Sequence, residues 1–276
     1  MSTSTSDSQA ALLRSYHQGP TLVLPNAWDA GSAVVIAAAG ARAIGTTSGG
    51  VSWSHGRPDG QRMSRADMAA AVARIVAAVE VPVTADIEGG YGPAPADVAA
   101  TVESVVRVGA AGVNLEDSLP TGGELFDTEA QVLRLAAART AAADNGVPQL
   151  VVNARTDVFL FGVGKPEGRL DEVLARAARY AEAGADCLFV PGVVDLDTIR
   201  SLVAGSPLPV NVMSGPGAPT VAALAAVGVQ RISVGTAITQ AAYTLVRRVT
   251  RELVETGTYG SLDGAMDFVA MNSLFT

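Results

Sequence analysis

Four stretches of this chain share one grammar: AAAGARAIG, RVGAAGVNLE, EAGADCLFV and AVGVQRISV. In each, a run suited to a helix ends at a glycine, a small residue or two passes, and an apolar run suited to a strand begins. Gly40, Gly109, Gly184 and Gly228 stand at the helix ends, where glycine readily takes the left-handed conformation that closes a helix. The unit recurs along the whole chain. Strand-like runs fall at 22–25, 43–47, 81–87, 111–116, 149–154, 187–190, 209–213 and 231–234. Helical runs follow at 30–39, 64–79, 95–108, 127–144, 170–183, 196–203, 220–227 and 236–256, with Asp29 and Ser64 placed as caps. Residues 48–63 read as a long loop. Eight strand–helix alternations predict one α/β domain over 1–276, a (β/α)₈ TIM-type barrel. A doubly wound open sheet is the alternative, but no GxGxxG follows the first strand.

Two segments lie outside the repeat. A helical extension covers 1–20, with a short helix at 10–17 and a frayed Ser/Thr-rich start at 1–9. A tail covers 258–276, and its helical run carries Leu262, Met266, Phe268, Val269, Met271, Leu274 and Phe275. So much apolar surface must be covered, which predicts a homo-oligomer in which this extra C-terminal helix crosses to a partner subunit.

Composition excludes several functions. The net charge of −8 argues against nucleic acid and anionic membrane as partners, because both reward a basic surface. Nearly half the residues are hydrophobic, yet Arg74 breaks the longest apolar helix, so no membrane span is expected. The start MSTSTSDSQ lacks the pattern of a secretory signal, and the one cysteine, Cys187, fits a reducing cytoplasm.

In a barrel of this kind the reactive residues lie at the C-terminal ends of the strands. The third strand ends in TADIEGGYG, with Asp86 and Glu88 two residues apart. Along an extended strand such a pair faces one side. Two carboxylates so placed need a shared proton or a cation, and a hard divalent ion that prefers oxygen suits them. A solvated acidic turn is the plain alternative. Other strand ends add Trp28 and Asp29, Ser48-Gly49-Gly50 with Asp59 further on, Asn114, Glu116 and Asp117, Asn153, Arg155 and Asp157, and Asn211. Acids and one arginine converging at one mouth point to a metal and an anionic small substrate. Arg155 can hold a carboxylate through two parallel hydrogen bonds, or simply pair with a strand-end acid. Asp29 is read as a helix cap, Asp117 as a candidate structural partner, His55 as loop-bracing and Cys187 as core. The only lysine, Lys165, sits in a loop, which disfavours Schiff-base chemistry, and no HExxH or paired Cys/His site for zinc is present.

Together PNAWDAGSA, TSGG, the HGRPD loop, TADIEGGYG, GVNLEDS, VNARTD and EAGADCLFVPG resemble the isocitrate lyase/phosphoenolpyruvate mutase superfamily over nearly the whole chain. The resemblance implies a barrel that binds Mg²⁺, with Mn²⁺ as an alternative, and makes or breaks a C–C or P–C bond beside a 2-oxo acid. By motif, Asp86 is the implied direct metal ligand, with Asp59, Glu88 and Glu116 acting through waters. Trp28, Ser48, Gly49, Gly50, Arg155 and Asn211 are the implied substrate contacts. The superfamily also implies a homotetramer, a dimer of dimers with a swapped terminal helix. The chain departs from the pattern in the loop after the fourth strand. That loop reads SLPTGGELFD and lacks the Lys-Lys/Arg-Cys-Gly-His motif of the lyases and the Lys and Asn of the mutase branch. Glu124 and Thr121 are its remaining polar candidates for proton handling, beside Glu116 and Arg155. The expected activity is Mg²⁺-dependent lysis or hydrolysis of a small 2-oxo or 2-hydroxy acid, oxaloacetate-like first. P–C chemistry and a non-catalytic diacid-binding barrel are the alternatives.

Overall fold

A computed structural model describes residues 5–120 and 122–275. Nine parallel strands form one sheet: β1 (Leu22–Leu24), β2 (Asn26–Ala27), β3 (Ile44–Thr46), β4 (Val83–Asp86), β5 (Gly112–Glu116), β6 (Val151–Arg155), β7 (Cys187–Val190), β8 (Val210–Met213) and β9 (Arg231–Ser233). Their order runs β1-β9-β8-β7-β6-β5-β4-β3-β2. The two ends of that list are one extended run of chain interrupted at Pro25, so the sheet curls into a nearly closed barrel.

Proline has no N–H to give a ladder. The seam is completed instead by the Asn26 amide. Its Nδ2 donates to Thr46 O at 2.9 Å, and its Oδ1 accepts from Val234 N at 3.0 Å. Gly45 makes room for it, since a Cβ there would meet Asn26 Nδ2 at 2.8 Å.

The strands alternate with helices that pack on their outer faces: α2 (Ala30–Ala38), α4 (Arg65–Ala77), α5 (Pro95–Arg107), α6 (Thr128–Asp144), α7 (Arg169–Glu182), α8 (Leu196–Gly205) and α9 (Val221–Ala226). Side-chain caps start several of them. Asp29 and Ser32 form a capping box on α2, and Ser64, Asp127, Asp195 and Thr220 cap α4, α6, α8 and α9. Each such cap contributes about 1 kcal/mol. The core between helices and barrel is built from Val, Leu, Ile and Ala, including Val102, Val105, Leu115, Leu135, Val152 and Leu188.

Three departures from the sequence reading matter. The N-terminal helix α1 runs Thr5–Tyr16, so residues 5–9 are helical rather than frayed; residues 1–4 lie outside the described residues. Tertiary bonds hold that first turn: Asp7 accepts from Gln149 N, and Gln9 donates to Glu80 O. Leu13 of α1 reaches the N-terminal floor of the barrel, where a Cβ on Gly112 would lie 3.0 Å from it. Second, the expected loop 48–63 begins with a helix, α3 (Ser48–Ser54). The run SGGVSWS carries weak helix formers, and burial of Gly49, Gly50, Val51 and Ser52 overrides that preference.

Third, the terminal helix α10 (Ala237–Glu255) buries only Thr239 among the residues described, and leaves Val246 and Val254 in solvent, the latter 80 % exposed. The tail is a short turn at Gly260–Leu262, then α11 (Phe268–Asn272) and a turn at Ser273–Phe275, rather than one continuous helix; Thr276 lies outside the described residues. Phe268 is 81 % exposed. Val23, on the outer face of β1, is 42 % exposed and lines a groove of about 460 Å³ with Ile36, Ala39 and Ile238. No described helix is long and apolar enough to cross a membrane.

Candidate active site

The C-terminal ends of β4, β5 and β6 bring the site together. Asp86 is the last residue of β4, buried, with its backbone N–H donating to Thr46 Oγ1 at 2.8 Å. Its Oδ2 accepts from Ser48 N at 3.0 Å, at the start of α3. The amides of Gly49 and Gly50 also sit in that first turn, where a helix offers them no internal acceptor. Both positions require glycine on space alone. A Cβ on Gly49 would lie 2.8 Å from Thr236 and 3.1 Å from the Asp59 carboxylate; one on Gly50 would lie 2.7 Å from Thr239 Oγ1 and Thr47 Cγ2 and 2.9 Å from Trp28. Asp59 is therefore carried to the mouth beside Gly49, while Trp28 packs at the edge of Tyr243, ring centroids 6.3 Å apart.

Glu88 reaches the site by another route than strand alternation. The strand stops at Asp86, and Glu88 takes φ +49°, a left-handed conformation uncommon for a non-glycine residue. Its carboxylate accepts from Gln61 N and from Tyr91 OH, the latter at 2.9 Å. Gln61 and Tyr91 are themselves left-handed. The three such residues of the described chain thus meet around one carboxylate, a concentration of backbone strain of the kind held at functional sites. Arg134 of α6 braces the turn from below. It donates to Gly92 O and Pro93 O, both at 2.9 Å, and to Gly89 O, and stacks over Phe126 at 4.1 Å. Its neighbour Gln131 accepts from Arg134 Nε and donates to Glu116 O at 3.2 Å, so one turn of α6 holds both acid-bearing strand ends.

Arg155 ends β6 opposite Glu116 in register. Its Nε and NH2 pair with Asp157 at 2.6 and 3.0 Å, and NH1 pairs with Glu116 at 2.9 Å. Of the two readings of Arg155, the geometry shows the pairing with strand-end acids, which hold it at the mouth. Asp157 also accepts from Ser118 Oγ. Asp117 is structural, fully buried and bonded to Asp157 N, Arg176 and Tyr180. Asp29 is a cap, as read, and Cys187 is buried with its thiol pushed up to about 12 by burial, which removes it as a nucleophile. Asn211 lies fully buried in the barrel, its Oδ1 accepting from Ser233 at 3.3 Å. The loop 118–127 folds on itself through the Ser118–Leu125 bridge and Leu119 N to Glu124 O. Glu124 is exposed, and no described hydrogen bond or ion pair joins its carboxylate to the acids; Thr121 lies outside the described residues.

The electrostatics are those of a site short of positive charge. Burial, then the charge of Asp86, raises Glu88 to about 7 against the Gln61 amide. Burial raises Glu116 too, with Asp157, Asp86 and Glu88 adding to it and Arg155 opposing. Asp59 is raised by desolvation and by Asp86, although it keeps solvent access. Among the described residues no three Asp, Glu, His or Cys groups gather as direct ligands of one ion. The donors at the mouth, Asp86, Asp59, Glu88 and Glu116, are oxygen alone, a chemistry that fits Mg²⁺, which keeps several waters and takes one or two carboxylates directly.

Such a fold and mouth define a (β/α)₈ barrel built around carboxylates and one arginine. The family model for phosphoenolpyruvate phosphomutase matches residues 13–254, and the chain belongs to that family, within the isocitrate lyase/PEP mutase superfamily. A Burkholderia cenocepacia J2315 structure, a phosphonomutase by provisional assignment, is 50 % identical, with TM-score 0.83 over 88 % of this chain and 99 % of that one. The 2,3-dimethylmalate lyase of Eubacterium barkeri is 34 % identical over 206 residues, 70 % of this chain and 67 % of its own. Oxaloacetate acetylhydrolase in complex with its product oxalate is 26 % identical, with TM-score 0.86 over 97 % of this chain and 94 % of that chain.

Gln61, Tyr91, Ser118, Arg134 and Arg231 escape the strand-end rule. Arg231 alone carried a signal: a charge opening an apolar strand.

Proposed function

We propose that this chain is a Mg²⁺-dependent enzyme that breaks a C–C bond in a small 2-oxo or 2-hydroxy diacid, with an oxaloacetate-like substrate preferred. The observation that carries this is Arg155, clamped between Glu116 and Asp157 at the mouth that also holds Asp86. When bound, Mg²⁺ supplies Lewis-acid polarisation of the substrate's oxygens. The chain's own residues do the rest. The NH1 and NH2 edge of Arg155 receives a substrate carboxylate, exchanging part of its hold on Glu116 for the ligand. The amides of Gly49 and Gly50 hold developing negative charge without reorganising, since α3 fixes them in advance. Asp86 would hold the ion directly, with Asp59, Glu88 and Glu116, the last released from part of its pairing with Arg155, holding it through water. Trp28 walls the pocket and Asn211 backs it from within the barrel. The loop 118–127 covers the mouth and excludes water; Glu124 is its one carboxylate before the α6 cap, and closure must carry it, or Thr121, to the reacting carbon for either to move a proton.

Likeness to the Burkholderia protein favours a second reading, phosphonate chemistry at a P–C bond. The same architecture serves both, because a phosphonate and a carboxylate make similar demands on Arg155 and the amides. The apolar groove beside Val23 and the exposed face of α10 support assembly as a homo-oligomer, a dimer of dimers, with the terminal helix covering a partner's seam.

The test is a turnover screen with oxaloacetate, 2-alkylmalates, 2-methylisocitrate, isocitrate and phosphonopyruvate, with products resolved by mass. Product that requires both Mg²⁺ and Asp86 is expected, with Asp86→Ala inactive and unable to bind the ion. Normal turnover in Asp86→Ala would refute the reading. Phosphate or phosphoenolpyruvate from phosphonopyruvate, without C–C cleavage, would replace it with the second. Tight oxalate binding with no turnover of any acid would leave a binding barrel.

A further inference from the structure

Beneath the acids the barrel interior holds an arginine that nothing above has used. Arg231 opens β9, points inward and is fully buried. Burial pushes its pKa down to about 10, so it stays charged at neutral pH. Among the described residues no carboxylate forms an ion pair with it. Its one protein bond is NH2 to Asn114 Oδ1 at 3.2 Å, and its Nε and NH1 find no protein acceptor. A buried cation tolerated on so thin a set of bonds calls for a reason.

The reason lies in what the bond does to Asn114. An arginine can only donate, so the Asn114 atom facing it must be the oxygen. The same oxygen accepts from Asn153 Nδ2 at 2.7 Å. Two donors on one prong fix the carboxamide against a flip, and the other prong, Nδ2, is left over. Asn114 stands beside Asp86 in register and two residues before Glu116, on the same inward face of β5. Among the described residues its Nδ2 has no protein acceptor, yet it is not among the sealed polar atoms, unlike Arg231 Nε and NH1, Asn153 Oδ1 and Asn211 Nδ2. The residue keeps 7 % of its surface. An amide NH₂ thus stands beside the acids of the mouth, not sealed from solvent and unable to turn round.

We propose that Asn114 presents this NH₂ to an oxygen of the bound acid, and that Arg231 is a positioning residue that acts through Asn114. The inference rests on the diacid reading of the site and adds a residue that reads the ligand. The site then selects against ligands that present a hydrogen-bond donor at that point, because the amide offers only protons there.

The experiment measures oxalate binding by calorimetry in Mg²⁺, with Mg²⁺ binding and thermal unfolding followed in parallel. The key variant is Asn114→Asp. The new carboxylate pairs with Arg231, so the melting temperature should hold or rise. The donor is lost and a negative charge faces the ligand, so oxalate should bind at least about tenfold more weakly, the fold-loss expected for one hydrogen bond to a charged group. Mg²⁺ affinity without oxalate should be retained. A residue that only packs the barrel would show the reverse: changed stability and unchanged oxalate affinity. Arg231→Gln, which frees the amide to turn, should weaken oxalate severalfold with Mg²⁺ binding intact. Equal oxalate affinity in wild type and Asn114→Asp overturns the inference and leaves the site reading in place. Failure of the wild type to bind oxalate in Mg²⁺ overturns both.

Discussion

Replacing Arg134 with methionine is the sharpest test of how the acid turn is held. Methionine keeps most of the stem and removes every donor. In the folded chain Arg134 is buried and serves four acceptors: Gln131 Oε1, Gly92 O, Pro93 O and Gly89 O. The substitution leaves three backbone carbonyls without that partner, at about 1–3 kcal/mol for each that water cannot reach. Against this stands the cost of burying the guanidinium itself, visible in a pKa pushed down to about 10, which the variant no longer bears. The difference comes to about 2–4 kcal/mol of lost stability, measured by urea unfolding with unchanged slope. The turn released is the one that holds Glu88 at φ +49°, so Mn²⁺ affinity, read below the unfolding transition, should fall as well. Arg134→Lys should be intermediate, since one ammonium cannot span three carbonyls. If Arg134→Met unfolds within about 0.5 kcal/mol of wild type and binds Mn²⁺ equally, the bracing argument is wrong.

Two further predictions concern the barrel floor and the exposed helix. Burial lowers His17 from 6.5 to about 4, so below pH 6.5 the unfolded chain takes up the proton before the folded one; stability is complete above that pH and is lost as pH falls toward 4, by up to about 3 kcal/mol. His17→Gln should lose that part of the pH dependence, and equal acid sensitivity in both proteins would remove the assignment. Placing aspartate at Phe268 and Val269, both exposed, should convert an oligomer to smaller species by light scattering, and a wild type already monomeric at micromolar concentration would refute the proposed assembly.

The sequence made the barrel legible because its punctuation is local. Glycines after helices, acids and hydroxyls before them, and apolar runs between are short-range signals, and all eight alternations stand in the structure. Acids at strand ends were legible for the same reason. What escaped was tertiary. Gln61 and Tyr91 reach Glu88 only because three residues adopt left-handed backbone, which no local preference of theirs announces. Helix α3 forms from a glycine-rich run because burial outweighs propensity. Arg134 looks like any charged residue on a surface helix until the turn it faces is in place.

The seam at Pro25 has a consequence for how this molecule fails. A ring of strands is safe from edge-to-edge polymerisation only while every neighbour is fastened to the next. Here one fastening is a side chain: the Asn26 amide between Thr46 O and Val234 N. The other fastenings there are backbone, the β1–β9 and β2–β3 ladders with Leu22 N to Gln230 O and Gly45 N to Pro25 O, on a chain that runs unbroken through Pro25. Loss of the carboxamide would therefore loosen one joint of the vessel, leaving Thr46 O and Val234 N without their side-chain partner, while the ring itself stays closed through the chain at Pro25.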